Sequence, residues 1–457
     1  MANTIAAIST AVGEAGIGIV RLSGDSAKSV GDKIFKGAKK SLLDANNRAL
    51  TYGHIIDKDE NIIDEVLIVY MNAPHTYTRE DMVEIYCHGG VVSVKKVLNR
   101  VLEMGASLAD AGEFTKRAFL NGRLDLSQAE AVMDLISSKT DSAFELSLSQ
   151  LEGSVSFVVQ KIRTDLLEIM ANIVAQIDFP EDDIETDSNE AILGKLENVS
   201  NNLRELIDSS NRGRVIRDGI STVILGKPNV GKSSLLNALL QENRAIVTDI
   251  PGTTRDTIEE FINLDGIPLR IIDTAGIRTT DDLVEKIGVD KAISELKKAD
   301  LLLIMLDTSE QIDNEDIEIL NYAHEKPSLI LINKSDLEPK FKRKDIEKIV
   351  PDVKIVETSM KSQLGLEELL DNIKTLFYDG DVSAKNENIV SNIRHINALK
   401  NAKDNIDQAI DDLKMNIPLD CVEVHINEAM NFIGEISGET VTEDILDNIF
   451  SRFCIGK

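Results

Sequence analysis

The sequence predicts a multi-domain α/β chain: a small α+β N-terminal domain, then an α-helical domain into which a P-loop α/β domain is inserted. Three observations predict it. Apolar residues recur at helical spacing on both sides of a central block. Inside that block, residues 220–380, short apolar runs alternate with helical stretches, the βαβ signature of a parallel sheet covered by helices. One of those runs leads straight into Gly226-Lys227-Pro228-Asn229-Val230-Gly231-Lys232-Ser233, which matches G-x-x-x-x-G-K-[ST]. At 457 residues and 42% hydrophobic content, the chain has apolar material for about three domains.

The elements follow in order. Residues 1 to 120 mix strand-like and helical runs: Glu65–Met71 and Met82–Cys87 read as strands, Gly89-Gly90 breaks the second, and Val91–Met104 has helical spacing. From Leu124 to Ile207 the pattern is nearly all helical. Leu146, Leu148, Leu151, Val155, Val158, Ile162, Leu166, Ile169 and Ile173 recur mainly at three- and four-residue steps, until Phe179-Pro180 ends the run. Leu193, Leu196, Val199, Leu203 and Leu206 mark a second amphipathic stretch, and the segment 208–218, DSSNRGRVIRD, reads as the linker into the insert. Within the insert, Ile220–Leu225, Leu269–Ile272, Leu301–Leu306, Leu329–Ile332 and Val353–Val356 read as strands. Helix resumes after Asn388, Pro418 breaks it, and Thr442–Phe453 closes the chain as a helix. Insertion of one domain into another is tolerated because domain termini often lie close together. The expected boundaries are 1–120, 121–214, 215–380 and 381–457.

Bulk properties exclude more than they assign. No run of 18 or more apolar residues appears, so no membrane span is expected, and the N-terminus lacks the basic segment of a secretory signal. Cys87, Cys421 and Cys454 are odd in number and far apart, which fits a reducing cytosol rather than a disulfide framework. Cys87 and Cys421 read as core. Cys454 reads either as a reactive thiol near a helix end or as one more inert, buried cysteine. None of the six histidines has metal-ligand spacing; they read as structural or surface groups. A net charge of −28 repels phosphate backbones, so a nucleic-acid substrate needs a local basic site or a partner.

The insert carries the chemistry. Glycines in the 226–233 loop let backbone N–H groups close round a β-phosphate at a helix N-terminus; Lys232 should reach the β- and γ-phosphates and Ser233 should place its hydroxyl on Mg²⁺. Asp273-Thr274-Ala275-Gly276 follows a strand, with Asp273 at a second Mg²⁺ contact and the Gly276 N–H able to sense the γ-phosphate. Asn333-Lys334-Ser335-Asp336 follows another. The Asp336 carboxylate can accept from guanine N1–H and the 2-amino group, an arrangement adenine does not offer. Ser359-Met360-Lys361 stands at the last base-contact position. Four such motifs in order, each after a strand, point to GTP. Gly252-Thr253-Thr254-Arg255-Asp256 reads as the first switch loop, in which Thr253 or Thr254 can complete the Mg²⁺ shell. Where Ras-like GTPases carry a water-orienting Gln after DTAG, this chain has Ile277, which has no donor or acceptor. An acidic residue further on (Asp281, Asp282 or Glu285) and an extra cation are the candidates to replace it. Asn229 offers a carbonyl oxygen that can ligate a monovalent cation, or it stabilises the loop; spacing alone leaves both open.

These residues carry a family resemblance over essentially the whole length. GKPNVGKSS, DIPGTTRD, DTAGIR and NKSD occur together with GIGIVRLSG, EIYCHGG, GEFTKRAFLNGRLDLSQAEA and a terminal FCIGK, and the last four are not shared by GTPases in general. The chain resembles the MnmE/TrmE family of tRNA-modification GTPases, which act on the wobble uridine. The resemblance implies an N-terminal folate-binding and dimerising domain, a discontinuous helical domain and an inserted P-loop G domain. It implies a nucleotide site over Asn229, Val230, Gly231, Lys232, Ser233, Ser234, Thr248, Asp249, Ile250, Pro251, Gly252, Thr253, Thr254, Asp273–Gly276, Asn333, Lys334, Asp336 and Ser359–Lys361. It implies K⁺ on Asn229, Thr248, Ile250 and Thr253, Mg²⁺ on Ser233 and Thr254, and Glu285 orienting the attacking water. A one-carbon folate, 5,10-methylenetetrahydrofolate with 5-formyltetrahydrofolate as its analogue, would sit at Arg21, Glu84 and Arg123 with Lys457 nearby, and Cys454 would face that pocket. Arg123 stands where the family has Lys or Arg, and Met360 replaces a usual Ala. The resemblance further implies a cytoplasmic homodimer that joins an FAD-dependent subunit of the MnmG/GidA kind in a heterotetramer acting on tRNA.

A regulatory switch or ribosome-assembly GTPase would show the same nucleotide motifs. The folate set and FCIGK separate the two readings. A structural scaffold with a dead G domain is disfavoured by the presence of Lys232, Ser233 and Asp273.

Overall fold

The computed structural model describes residues 3–178, 187–242, 259–272, 296–377 and 389–457. The chain splits into two compact units: Met1–Met133 with Gln150–Thr164 and Asn427–Lys457, and Asp134–Ser149 with Asp165–Ile426.

In the first unit, β1 (Ile5–Ile8), β2 (Gly18–Ser23), β3 (Phe35–Gly37), β4 (Thr51–Ile56), β5 (Ile62–Met71), β6 (Met82–Cys87) and β7 (Ser107–Leu108) form one sheet. Its order is β3-β4-β5-β6-β2-β1-β7, antiparallel except for β1 against β7. Period-two alternation sends Val20, Leu22, Ile55, Val66, Ile68, Val83 and Ile85 to one face. There they pack with Val30 and Ile34 of α1 (Ala27–Ile34) and with Val94, Val97 and Val101 of α2 (Val91–Glu103). Each such side chain contributes about 1.5–3 kcal/mol on full burial. Tyr52 and Leu67 alternate with the core positions and stay exposed. The predicted Glu65–Met71 run is the C-terminal part of β5, and Met82–Cys87 is β6 as read.

Helices α3 (Glu113–Leu120), α4 (Leu126–Ser137), α5 (Asp141–Leu151), α6 (Ser154–Asp178) and α7 (Asn189–Asp218) follow. Two expectations need correction. The apolar run from Leu146 to Ile173 is two helices, parted at Gly153, whose φ of +99° ends the first. The segment 208–218 is no linker but the end of α7, where Val215 and Ile216 are buried. Gly213 looked like a linker glycine for the wrong reason: a Cβ there would lie 2.3 Å from the Val390 carbonyl oxygen, so the close approach requires glycine.

The second unit holds β8 (Ile220–Leu225), β9 (Glu259–Leu264), β10 (Ile267–Ile272), β11 (Leu301–Asp307), β12 (Ser328–Asn333) and β13 (Lys354–Glu357), in the order β13-β12-β11-β8-β10-β9. All neighbours are parallel except β9 and β10. Every residue of β8, β11 and β12 is buried, as central strands covered on both faces require. Helices α8 (Lys232–Glu242), α9 (Asn314–Asn321), α10 (Arg343–Glu347) and α11 (Leu366–Phe377) belong to this part of the chain.

Helices α12 (Ile393–Lys414), α13 (Leu419–Ser437) and α14 (Glu443–Phe450) complete the chain. The helix before Pro418 already ends at Lys414, with Asn416 left-handed beyond it (φ 55°), and the next starts directly after the proline. The closing helix stops at Phe450, short of the expected Phe453. Cys421 is exposed, contrary to its reading as core. The buried stripe of α13 runs Val422, Ile426, Ala429, Ile433 and Ile436, and Cys421 falls off it on the side of Glu428. Among the described residues, no helix is long and apolar enough to cross a membrane.

Candidate functional site

Among the described residues, the phosphate-loop and base-contact motifs lie at the C-terminal ends of their strands, the edge where open α/β sheets take ligands. The loop 226–231 leaves β8 and enters α8. Its shape needs glycine twice. At Gly226 (φ +150°) a Cβ would sit 2.5 Å from the Met305 carbonyl oxygen, and at Gly231 (φ +113°) 2.2 Å from Asn333 Nδ2. Asn229, exposed at the loop tip, takes the left-handed conformation with φ 66°. Val230 is buried and anchors the loop from below, while Ser233 and Ser234 are exposed in the first turn of α8.

The base-reading motifs are bonded to that loop. Asn333 Nδ2 donates to the Val230 carbonyl at 2.7 Å, and its Oδ1 accepts from the Met360 backbone N–H at 3.3 Å. Asn333 is 2% exposed, so both bonds are made away from water. Ser359 Oγ donates to Asp336 Oδ1 at 2.7 Å, and chiefly that bond holds the exposed Asp336 carboxyl below the usual carboxylate range. Asp336 therefore stays an acceptor, as guanine recognition requires. Lys361 is exposed beside it, and Met360 is half-buried against the core. Three stretches far apart in sequence thus form one cluster.

The ammonium of Lys232 donates to the carbonyls of Gly226 and Lys227 across the loop, the latter at 2.8 Å. Two further contacts brace the site, and neither was read from sequence. Lys227, 8% exposed, reaches Asp313 and Asp316 at 2.8 Å each. Burial works against its charge, yet these two carboxylates outweigh it and push its pKa up. Asp313 and Asp316 also form the capping box of α9, so the D-x-x-D spacing was the available signal. Lys334, with φ 60°, pairs with Asp307 at the end of β11. Burial raises the Asp307 carboxyl, but the bonds from Lys334 and Ser309 bring it below its ordinary value. Thr248, Asp249, Ile250, Pro251, Gly252, Thr253, Thr254, Asp273, Thr274, Ala275, Gly276, Ile277 and Glu285 lie outside the described residues, as do Asp281 and Asp282.

A second constellation stands in the first unit. Arg21 and Glu84 are register partners on β2 and β6, and both Nε and Nη2 of Arg21 lie 2.9 Å from Glu84 Oε1. Tyr86 donates to Glu84 Oε2 at 2.7 Å; burial first, then that carboxylate, pushes the phenol up to about 12. Tyr77 links Arg21 to Arg123: the two guanidiniums lie 5.8 and 4.6 Å from its ring centroid. Arg123 also donates to the Tyr77 carbonyl at 2.9 Å. Spacing offered no signal for Tyr77, since only the sheet and the following turn bring it between the arginines.

The C-terminal tail is pinned to the same unit. Ala111 bridges Ile455, and Ser9 Oγ donates to the Gly456 carbonyl at 3.0 Å. At Gly456 (φ +93°) a Cβ would lie 2.1 Å from the Ile8 carbonyl oxygen. The tail thus lands beside β1, whose Ala7 pairs with Arg21. Cys454 is exposed and lies beyond the last helix, and Lys457 is half-buried. Cys87 is buried, and that burial pushes its thiol up to about 11.

Comparison with known proteins identifies the family over the whole chain. The family model for the MnmE helical domain matches residues 126–454, and that for the GTP-binding protein TrmE N-terminus matches residues 4–123. A protein of Alkaliphilus oremlandii named tRNA modification GTPase MnmE is 52% identical over 457 residues, covering 100% of this chain and 99% of its own. Proteins of the same name from Finegoldia magna (52% identical, 100% of both chains) and Clostridioides difficile (51% identical, 100% of this chain and 99% of that one) are similar throughout.

Proposed function

The chain belongs to the MnmE family of tRNA modification GTPases, and from that premise we propose a potassium-stimulated GTP hydrolysis cycle coupled to one-carbon chemistry at the wobble uridine. Two G domains face each other in the active state. An FAD-dependent partner subunit of the MnmG/GidA kind joins the homodimer, and together they place an aminomethyl or carboxymethylaminomethyl group at uridine C5. The carbon comes from 5,10-methylenetetrahydrofolate. The observation that carries this reading is the presence in one chain of two built sites. One is the phosphate loop bonded through Asn333 to the base-reading motifs. The other is the Arg21–Glu84–Tyr77–Arg123 constellation. The second is what a plain switch GTPase does not need.

In the first site the 226–231 loop offers backbone N–H groups to the β-phosphate, and Lys232 exchanges its loop carbonyls for phosphate oxygens. Asp336 selects guanine by accepting two N–H bonds. The Ser233 hydroxyl, exposed at the start of α8, fits a Mg²⁺ ligand; with Thr254 it would hold an ion that neutralises charge between β- and γ-phosphates. The left-handed Asn229 at the loop tip is open to a K⁺ shared with Thr248, Ile250 and Thr253, and that ion would add the positive charge an arginine finger supplies elsewhere. Glu285 orients the attacking water in place of a glutamine.

In the second site charge sets the direction of the ligand. A pterin edge presents N–H donors, which suit the Glu84 carboxylate, and the glutamate carboxylates suit the Arg123 guanidinium. Lys457 and Cys454 complete this site in the proposal, carried by the tail that is pinned beside β1. With a net charge of −28, the chain leaves much of the tRNA-binding surface to the partner. The division at 1–120, 121–214, 215–380 and 381–457 and a cytoplasmic location belong to the same proposal.

The test is steady-state GTP hydrolysis in KCl and in NaCl at equal ionic strength. The proposal expects a rate at least about tenfold higher in KCl, a stabilisation of roughly 1.4 kcal/mol in the transition state. Equal rates would remove K⁺ from the mechanism. Glu285→Ala should lower kcat while leaving GTP affinity nearly intact; collapse of affinity would make Glu285 structural.

A further inference from the structure

A cavity of about 460 Å³ opens beyond Arg123, lined by Met71, His75, Thr76, Tyr77, Arg79 and Arg123. That volume lies within the roughly 300–1,000 Å³ of small-molecule sites. Two of its walls are guanidiniums held in place by backbone. Arg79 Nη1 donates to the Asn121 carbonyl at 2.8 Å, and Arg123 Nη1 donates to the Tyr77 carbonyl at 2.9 Å. Both side chains are otherwise exposed to the cavity and solvent, so each keeps most of its five N–H donors for a ligand. Arg48 stiffens the wall by donating to the His75 carbonyl.

The neighbouring acids Glu80 and Asp81 are hydrogen-bonded elsewhere, not to Arg79 or Arg123. Glu80 is taken by Arg117 at 3.1 Å and Ser23 at 2.7 Å, and Asp81 by the Tyr70 hydroxyl at 3.0 Å and the Ala73 N–H at 2.9 Å. Two guanidiniums lining one cavity favour an anionic occupant, although the chain as a whole carries a net charge of −28. The cavity is continuous with the proposed folate site, because Tyr77 and Arg123 belong to both.

We infer that this cavity takes the γ-linked polyglutamate tail of the folate, with Arg79 pairing the carboxylate beyond the one that Arg123 holds. The inference rests on the folate reading above and extends it to the form of the substrate. Arg79 is the second guanidinium lining this cavity beside Arg123, so it suits the next negative charge of a tail running from Glu84 past Tyr77 to Arg123.

Calorimetric binding of 5-formyltetrahydrofolate as monoglutamate and as triglutamate, to the full chain and to Arg79→Gln, tests it. The wild type should bind the triglutamate about three- to tenfold tighter, the scale of one or two exposed but prepositioned charge pairs. Arg79→Gln should erase that ratio without moving the monoglutamate Kd, and Arg79→Lys should keep part of it. Equal affinity for both lengths in the wild type would overturn the tail subsite and leave the folate reading standing. No binding of either length would overturn both. Unchanged folate ratios with weakened tRNA binding in Arg79→Gln would make the cavity a phosphate site and overturn the inference.

Discussion

Gly231→Ala probes the joint between the phosphate loop and the base-reading motifs. The φ of +113° at this position costs an L-residue about 1–3 kcal/mol. The new methyl would also lie 2.2 Å from Asn333 Nδ2, so the amide must move. Moving it breaks the 2.7 Å bond to Val230 and leaves a polar group that is 2% exposed without its partner. That loss costs about 1–3 kcal/mol. The sum, about 2–6 kcal/mol, corresponds to a loss of GTP affinity on the order of 30- to 10⁴-fold if most of it falls on the binding-competent loop. Titration with a fluorescent GTP analogue reads this directly, beside a thermal melt that reports how much is stability. The double variant Gly231→Ala/Asn333→Ala separates the two terms, since without the amide only the backbone strain remains. The reasoning requires the two substitutions to be non-additive by at least about 1 kcal/mol. Additive losses, or Gly231→Ala binding within threefold of wild type, would refute it.

Other consequences can be checked singly. Lys227→Met leaves Asp316, 4% exposed, without its cation, and should destabilise this part of the chain by about 2–4 kcal/mol in thermal unfolding; an unchanged melt would mean the pair contributes nothing. His88 Nδ1 donates to Asp64 Oδ1 at 2.6 Å, and that bond raises the His88 pKa above its ordinary 6.5. A raised folded-state value means the pair's stabilisation is fully present below pH 6.5 and fades as pH rises through the folded pKa. NMR titration of His88 should show the raised value and its fall in Asp64→Asn; an identical titration in both would exclude the pair. Ellman's reagent on the native protein should label Cys421 and Cys454 and spare Cys87 until denaturant is added, because Cys87 is buried and its thiol is pushed up to about 11. Prompt labelling of Cys87 would contradict its burial.

What could be read from sequence follows from which groups act locally. Strands β8, β11 and β12 were legible because burial on both faces makes them unbroken apolar runs, and the loop 226–233 because its glycines answer to backbone contacts of one turn. Strand β9 was missed: Glu259–Leu264 carries two acids and pairs antiparallel at the sheet edge, where no such run is needed. The same limit hid Tyr77, whose role comes from two arginines brought to it by separate elements. The helix periodicity from Leu193 to Leu206 was clear, yet its continuation to Asp218 was not, because Gly213 and the serines before it look like a linker. Their reason is tertiary, the approach of Val390. Cys421 was misplaced for a simpler cause: one residue separates it from the buried stripe of α13.

The measurement that bears most directly on the account is nucleoside analysis of wobble uridine in tRNA from a deletion strain carrying either the wild-type chain or Lys232→Ala. The account predicts the C5-modified uridine with the wild type and unmodified uridine with Lys232→Ala, because hydrolysis and modification are one function. Full modification with Lys232→Ala, in cells whose extract shows no GTP hydrolysis by the variant, would contradict it.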